Sequence, residues 1–309
     1  MENPPGCDGG GKIAMSLTLN EKAAKFRALH RLPAAVGAKI GAAGPGAFII
    51  PNPWDAGSAR ILAGMGFEAL ATTSSGFAYS LGKRDGTTSR DELFAHCRAI
   101  VEAVDVPVAA DLEKCFGDDP KTVAETIRLA GATGIVGGSV EDASGDDARP
   151  IYDFSLAIER VGAAVEAARG LPFPFTLTAR AESFLHGRAD LDDTIRRLAA
   201  FAEAGAEVLF APGLPSLDAI RAVCGSVAPR PVNVLAGIKG LAFPVAELEA
   251  AGVRRISLGG VLARAAFGGL IGAAREMKER GTFGFVDRAA PTAEVAAFMT
   301  TKTNRAGVS

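Results

Sequence analysis

The sequence predicts an α/β fold, specifically a (β/α)8 barrel of the TIM type. Eight short apolar runs alternate with helical segments along the 309 residues, and this alternation implies parallel strands joined by crossover helices. The runs are rich in Val, Ala and Leu and do not alternate in polarity, as expected for strands covered on both faces. The rival architecture is a doubly wound open sheet, which often carries GxGxxG after its first strand; this chain has no such motif there.

The predicted strands follow one another at regular intervals. They are AFIIPN at 47–52, EALATTS at 68–74, VPVAADL at 106–112, TGIVGGSVED at 133–142, PFTLTARAE at 174–182, EVLFAP at 207–212, RPVNVLA at 230–236 and RRISLGG at 254–260. A helical pattern at 20–30, with Asn20 as its expected N-cap, precedes them, and other helical patterns lie between and after them. We predict a flexible N-terminal tail at 1–16, the barrel at 17–281 and a C-terminal extension at 282–309.

Composition narrows the class of function. The net charge of -2 gives no electrostatic reason to bind nucleic acid or an anionic membrane. No apolar run reaches the about 18–20 residues that span a bilayer, and the N-terminal segment lacks the apolar centre of a secretory signal. The cysteines have neither CxxC spacing nor disulfide density, so we expect a reducing, cytoplasmic location. They are Cys7, Cys97, Cys115 and Cys224.

Carboxylates gather where the middle strands end, at the edge that carries the active site in a barrel of this type. Asp111 and Glu113 follow the third strand and share one face of it, and Glu141 follows the fourth. Three acids at one mouth repel one another unless a cation lies among them. With only three histidines in the chain, oxygen ligands favour magnesium, with manganese as an alternative, over zinc. The competing interpretation is that each acid pairs with a nearby Lys or Arg or caps a helix.

Other strand ends are polar too. Arg180 ends the fifth strand, where its guanidinium either faces an anionic substrate or forms a rim salt bridge with Glu182 or Glu141. TTSSG at 72–76 is either a plain turn or a set of N–H and hydroxyl donors for a carboxylate. SLGG at 257–260 resembles a barrel phosphate site, although a tight turn is the favoured interpretation. The remaining polar strand ends are Asn52, Asp55 and Asn233.

Several segments carry a family resemblance. In chain order they are NPWDAGSARILAGMGFEALATTSSGFAYSLGKRDG, ADLEKCFG, SVEDA, TARAESFL, FAPGL and PVNVLAG. Together they resemble the isocitrate lyase/phosphoenolpyruvate mutase superfamily, in its phosphonomutase-like branch. The resemblance implies a barrel whose last helix is swapped with a neighbouring subunit, in a dimer or a homotetramer. It also implies magnesium bound beside a 2-oxo acid or an enolate.

The resemblance also implies roles for individual residues. The metal-binding acids of the superfamily fall on Asp111, Glu113 and Glu141, and a further acid of the site falls on Asp85. Arg180 matches the arginine that ends the fifth strand, and we predict that Arg180, Asp85 and Glu141 are catalytic. The substrate-binding residues implied in the same way are Trp54, Thr73, Ser74, Ser75, Arg180 and Asn233.

The loop after the fourth strand departs from the family pattern. Lyases of the superfamily carry Lys-Lys-Cys-Gly-His or Lys-Arg-Cys-Gly-His there, and the cysteine is the general acid. The loop of this chain reads EDASGDDARPIYDF and contains no Cys, His or Lys; the lysine-containing loop of the mutase and of phosphonopyruvate hydrolase is absent as well. Cys115 and Phe116 stand where the family has Gly and Tyr, and we do not expect Cys115 to replace the missing acid.

These features favour a magnesium-dependent lyase or decarboxylase acting on a small 2-oxo or 2-hydroxy carboxylic acid through an enolate. The reaction would resemble that of oxaloacetate decarboxylase or of methylisocitrate lyase. Decarboxylation is the simpler of the two, because it requires little beyond the metal, whereas other C–C cleavage needs an acid to protonate the departing enolate. Two alternatives stay open: phosphonopyruvate hydrolase or phosphoenolpyruvate mutase-like P–C chemistry, and non-catalytic binding of a 2-oxo acid.

Overall fold

A computed structural model describes residues 16–31, 46–237 and 242–299, and within them the predicted barrel is confirmed. Eight parallel strands form one sheet, and each lies inside the run that predicted it. They are β1 (Phe48–Ile50), β2 (Leu70–Ala71), β3 (Val108–Asp111), β4 (Gly137–Glu141), β5 (Thr176–Arg180), β6 (Val208–Phe210), β7 (Val232–Leu235) and β8 (Arg255–Ser257). Their hydrogen-bonded order is β1-β8-β7-β6-β5-β4-β3-β2, which leaves one seam between β1 and β2.

Asn52 closes this seam with its side chain. Across it, the backbone N–H of Ala71 donates to Pro51 O at 3.2 Å, and Asn52 Nδ2 donates to Ala71 O at 3.1 Å. Asn52 Oδ1 accepts the N–H groups of Leu258 and Gly259 at 2.8 and 2.9 Å. The buried amide therefore joins β1, β2 and the turn after β8, and the sheet becomes a nearly closed barrel.

The helices lie where the apolar periodicity predicts them, with one addition. They are α1 (Leu19–Leu29), α2 (Ala56–Gly64), α3 (Ser74–Ser80), α4 (Arg90–Ala103), α5 (Pro120–Gly131), α6 (Phe154–Arg169), α7 (Leu191–Glu203), α8 (Leu217–Val227), α9 (Val245–Ala250), α10 (Val261–Arg280) and α11 (Thr292–Phe298). The unpredicted helix is α3, which begins inside TTSSG. Asn20 was the wrong N-cap for α1, because Thr18 caps it in a reciprocal capping box with Glu21.

The first helix closes the N-terminal end of the barrel. Phe26 on α1 is fully buried and lies where a side chain on Gly137, at the start of β4, would collide with it. His30 packs edge-on against Phe48 at the start of β1, with ring centroids 5.1 Å apart. Any open space inside the barrel is therefore reached from the opposite end.

The last barrel helix, α10, is poorly covered by the described chain. Of the 20 residues of α10, only Ala263 is buried. Leu270 and Ile271 are 63% and 49% exposed, and Met277 is exposed as well. Large exposed apolar patches are unusual on monomers and are typical of interaction surfaces.

The C-terminal extension returns to the barrel. A short 3-10 helix, Gly284–Arg288, follows α10. The chain then forms α11, which lies against α2, where Arg60 Nη1 donates to Met299 O at 2.9 Å. The predicted tail lies outside the described residues except for Ser16, as do residues 300–309. None of the helices in the three described ranges is long and apolar enough to cross a membrane.

Candidate active site

A cavity of about 190 Å³ opens at the C-terminal ends of the strands, the edge where the sequence predicts the site. It is smaller than the usual range of about 300–1,000 Å³ for pockets that hold drug-sized ligands, so it suits a small molecule. Seven predicted site residues line it: Thr73, Ser74, Ser75, Asp85, Asp111, Arg180 and Asn233. The predicted residues outside the lining are Trp54, Glu113 and Glu141. A hollow of about 380 Å³ at the other end of the barrel contains one carboxylate, that of Glu207.

The TTSSG segment begins helix α3 rather than forming a plain turn. Thr73 is its N-cap, and the Thr73 hydroxyl lies 3.1 Å from the hydroxyl of Ser75. The N–H of Ser74 donates to Asp111 Oδ2 at 3.3 Å. One donor that the sequence offers to a substrate is therefore engaged by a carboxylate of the site, while the side chains of Ser74 and Ser75 line the cavity.

Arg180 lies at the centre of three carboxylates. Its Nη1 is 2.8 Å from Asp111 Oδ1, and its Nη2 is 3.3 Å from Glu141 Oε2 and 2.8 Å from Glu182 Oε1. The pairing follows from strand register, because Arg180 on β5 lies directly beside Glu141 on β4. Burial acts to lower the pKa of Arg180, but the carboxylates of Glu182, Glu141 and Asp111 outweigh it and raise that pKa. The rim salt bridge that the sequence left open is present.

Glu113 is the acid that Arg180 does not contact. Its carboxylate is largely buried, and Oε1 has no hydrogen-bond partner among the described residues. Thr88 lies close enough to lower the pKa of Glu113 slightly, but its hydroxyl makes no hydrogen bond of good geometry. Burial, followed by repulsion from Asp111 and Asp85, raises this pKa to about 7. A buried acid in this state is short of positive charge nearby.

The pKa values of Glu141 and Asp85 are raised as well. Burial raises the pKa of Glu141 well above its usual range; Arg180 opposes this effect, and Glu182 and Asp111 reinforce it. Asp85 lies on an exposed loop, yet its carboxyl faces the cavity. Burial and then Asp111 raise the pKa of Asp85, while a hydrogen bond with Ser74 lowers it.

The donor set fits a divalent cation by its chemistry. Within the described residues, no group of three or more His, Cys, Asp or Glu side chains is arranged to hold a metal ion. Arg180 pairs with three of the acids instead. The acids nevertheless outnumber the one guanidinium that pairs with them. Glu113 Oε1 has no hydrogen-bond partner among the described residues. The acids concerned are Asp85, Asp111, Glu113, Glu141 and Glu182. Hard oxygen ligands of this kind suit Mg²⁺ or Mn²⁺.

The loop after β3 is held in a strained form by Arg160, which the sequence analysis missed. Arg160 is buried in α6 and donates to the carbonyl oxygens of Lys114 and Gly117 at 2.6 and 2.7 Å. Cys115 and Phe116 adopt left-handed backbone angles, with φ of 61° and 60°, which cost about 1–2 kcal/mol per residue outside glycine. The glycine that the family has at position 115 fits this geometry. A buried arginine on an amphipathic helix was the available signal for this support.

The loop after β4 brings no acid or base of its own into the cavity. It folds back as a narrow hairpin, with a bridge between Ala143 and Ile151. Lys114 from the neighbouring loop donates to Ser144 O at 2.6 Å, away from the cavity lining. Asp142 is buried and accepts the N–H of Glu182 at 2.8 Å, so it joins the ends of β4 and β5. The short loop therefore has a structural role in the described chain.

Three further predicted positions have mainly structural contacts. Trp54 lies outside the cavity, and its backbone N–H donates to Ser58 Oγ at 3.0 Å beside the N-cap of α2. Its substrate-binding role stays a prediction. SLGG forms a tight turn, with Gly259 at φ 54°, and its first donors are taken by Asn52. A side chain on Gly260 would collide with Ser75 Oγ. Asn233 donates to Ser257 Oγ at 2.9 Å and lines the floor of the cavity.

The described chain is a nearly closed (β/α)8 barrel with acids and an arginine at its C-terminal edge, the edge that carries the active site in barrel enzymes. The family model for phosphoenolpyruvate phosphomutase matches residues 26–278. The chain belongs to this family and thus to the isocitrate lyase/phosphoenolpyruvate mutase superfamily of C–C lyases and mutases.

Known relatives agree with this assignment. A Burkholderia cenocepacia J2315 protein, whose crystal structure is described as that of a lyase/mutase, is 53% identical, with a TM-score of 0.85 over 92% of this chain and 97% of that one. The 2,3-dimethylmalate lyase of Eubacterium barkeri is 28% identical and covers 66% of this chain and 72% of its own. An oxaloacetate decarboxylase of Paraburkholderia xenovorans LB400 is 29% identical and covers 56% and 59%.

Proposed function

We propose that the protein is a magnesium-dependent decarboxylase or lyase of a small 2-oxo or 2-hydroxy carboxylic acid, with oxaloacetate as the first substrate to test. The observation that carries this proposal is the surplus of carboxylates around Arg180, together with the unpartnered, buried Oε1 of Glu113. A cluster of this kind is stable when a divalent cation supplies the missing charge. We also infer a cytoplasmic location from the cysteine usage.

The roles of the residues follow from their positions. Asp111, Glu113 and Glu141 would hold the ion, and Mn²⁺ would substitute for Mg²⁺ at oxygen ligands. When bound, the ion would act as a Lewis acid toward the negative charge that develops on an enolate oxygen. Arg180 holds Asp111 and Glu141 in fixed positions through its salt bridges. Ser75 lines the cavity, and its hydroxyl would donate to a substrate carboxylate.

The absence of Cys, His and Lys from the loop after β4 favours decarboxylation over other C–C cleavage. In decarboxylation the bond to the departing carboxylate breaks, its electron pair forms the enolate, and carbon dioxide leaves. Solvent can then protonate the enolate to give pyruvate, so no dedicated protein acid is required. The likeness to an oxaloacetate decarboxylase supports this reading.

The experiment that tests this function is pyruvate release from oxaloacetate with Mg²⁺ and with EDTA. We expect turnover above the enzyme-free rate measured at the same Mg²⁺ concentration, and loss of that excess when EDTA is added. Phosphate release from phosphonopyruvate is followed in parallel. Phosphate as the only product would instead assign P–C chemistry. Ligand-induced thermal stabilisation with no turnover of any C4–C7 oxo acid would identify a binding protein.

The thiol of Cys115 gives a further prediction. Cys115 is fully buried, and burial raises the pKa of its thiol to about 12, so it is a poor acid with no access to the cavity. We expect Cys115→Ser to retain kcat/KM within about threefold, because catalytic proton transfer normally contributes about 10²–10⁴-fold and none passes through this group. Cys97→Ser, another fully buried thiol, is the matched control. A hundredfold loss confined to Cys115→Ser would show that the thiol takes part.

We propose that the exposed face of α10 is covered by a second copy of this chain. Support comes from its length and from the side chains of Leu270, Ile271 and Met277, which the described part of its own barrel leaves exposed. The exchange of the last helix that the family resemblance implies would cover this face, and a dimer or homotetramer would result.

The oligomer is tested by charging this face. We expect Leu270→Glu with Ile271→Glu to shift the protein from a homo-oligomer to a monomer, because carboxylates cannot be buried unpaired at an apolar interface. Light scattering after size exclusion gives the mass directly. Leu129→Glu with Leu185→Glu, at exposed leucines on other elements, should leave the mass unchanged. A wild-type chain that is monomeric at all concentrations would refute the proposal.

A further inference from the structure

A second guanidinium, that of Arg255, lines the cavity that Arg180 enters. Arg255 lies at the start of β8 and is only 7% exposed. The interior of such barrels is usually filled by layers of branched side chains. Here the inward-facing Ala71 and Ala109 leave space, so the cavity continues downward and ends on Arg255 and Thr178.

The partners of Arg255 are all neutral. Its Nε donates to Asn233 Oδ1 at 2.8 Å and its Nη2 to Thr178 Oγ1 at 3.0 Å. Its Nη1 lies 3.3 Å from His30 Nε2. His30 Nδ1 lies 2.8 Å from Phe26 O, which assigns the ring proton to Nδ1 and leaves Nε2 as an acceptor. Burial and then Arg255 lower the pKa of His30 to about 3, so the imidazole contributes no charge.

The two arginines of the cavity are therefore in opposite states. Arg180 is surrounded by three carboxylates, whereas no carboxylate among the described residues lies within salt-bridge distance of Arg255. A buried charge without a counterion is costly, and burial, with a contribution from Arg180, lowers the pKa of Arg255 to about 9. Asn233 and Thr178 hold this guanidinium at the floor of an open cavity.

We infer that Arg255 binds an anionic group of the ligand, and that the substrate is accordingly a small dicarboxylate with one carboxylate at the acidic mouth and the other at this floor. The inference deepens the proposed function and rests on it for the reaction, but not for the binding. It makes Arg255 the specificity-determining residue, because Arg180 is already neutralised by the protein. The small volume of the cavity limits the ligand to a short chain.

The inference is tested by the affinities of two dicarboxylates, malonate and succinate, and of the monocarboxylate pyruvate. Calorimetric titrations with Mg²⁺ present compare the wild type with Arg255→Met and Arg255→Lys. We expect Arg255→Met to weaken at least one dicarboxylate by about ten- to a hundredfold, the range for a hydrogen bond to a charged group. Pyruvate affinity should change by less than about threefold, on the same scale. Arg255→Lys keeps the charge and should retain most of the preference.

Arg254→Met is the control, because Arg254 is the neighbouring buried arginine and its guanidinium donates to Leu29 O and Gly46 O outside the cavity. It should preserve the ratio of dicarboxylate to pyruvate affinity, and circular dichroism checks that each variant is folded. Equal weakening of every ligand by Arg255→Met, or no preference for dicarboxylates in the wild type, would overturn the inference. If Arg255→Met does not fold, Arg255→Lys serves as the test variant. Loss of the dicarboxylate preference in Arg255→Lys would then overturn the inference. Intact dicarboxylate binding without pyruvate release would overturn the proposed reaction and leave Arg255 as assigned.

Discussion

Replacing Asp111 with asparagine is expected to lower magnesium-dependent turnover at least about a hundredfold, at the upper end of what metal-site partners contribute. Asp111 contacts more of the site than any other predicted ligand: its oxygens lie 2.8 Å from Arg180 Nη1 and 3.3 Å from the N–H of Ser74. Its own N–H donates to Thr72 Oγ1 at 3.0 Å, so the backbone position is kept in the variant. The asparagine preserves shape but removes the charge.

Steady-state kinetics over a range of Mg²⁺ concentrations measure this effect. If Asp111 is a ligand, the variant needs more Mg²⁺ for half-maximal activity as well as having a lower kcat. Asp118→Asn is the matched control, because Asp118 lies on the same loop, is exposed and pairs with Lys114 outside the cavity. A variant at Asp111 with the wild-type Mg²⁺ dependence would remove this residue from the metal site.

Replacing Arg180 with methionine is expected to destabilise the fold by about 3–5 kcal/mol, the usual loss when one partner of a buried ion pair is removed. Three carboxylates would lose the only guanidinium that pairs with them among the described residues, namely Asp111, Glu141 and Glu182. The Arg180 side chain is 14% exposed, so water compensates little. Added Mg²⁺ should restore part of the loss, because ligand that binds only the folded state raises the free energy of unfolding.

Urea unfolding with and without Mg²⁺ gives both quantities. Arg197→Met is the comparison, since Arg197 is also buried and pairs with Asp142 and Asp193 but does not line the cavity. We expect similar destabilisation in both variants and recovery by Mg²⁺ in Arg180→Met alone. Equal Mg²⁺ responses would mean that the acids around Arg180 do not form a cation site.

The positions of the strands followed from local sequence, because a strand buried on both faces needs a continuous apolar run that turns cannot imitate. The convergence of Asp111, Glu141 and Arg180 followed as well, since the ends of parallel strands meet at one edge of the sheet. Register then accounts for their contacts: Glu141 lies beside Arg180 and Asp111 beside Ser139.

A salt bridge of Arg180 with Glu141 or Glu182 was one of two interpretations of the sequence, but the full set of partners of each arginine could not be predicted. The three carboxylates on Arg180 come from three different strand ends, and the lack of any on Arg255 depends on the whole barrel interior. The N-cap that starts α3 at Thr73 was missed because TTSSG has the composition of a turn. The hydrogen bond from Arg160 to Lys114 O joins residues that are 46 apart in the sequence. Local sequence patterns do not predict contacts over such a distance.

The most direct test is a crystal structure of the protein grown with Mn²⁺ and oxalate, with anomalous scattering recorded for manganese. We expect one anomalous peak per chain at the C-terminal edge of the barrel, in contact with oxygens of Asp111 and at least one of Glu113 and Glu141. An oxalate bound by the guanidinium groups of Arg180 and Arg255, with no manganese peak among these acids, would contradict this expectation.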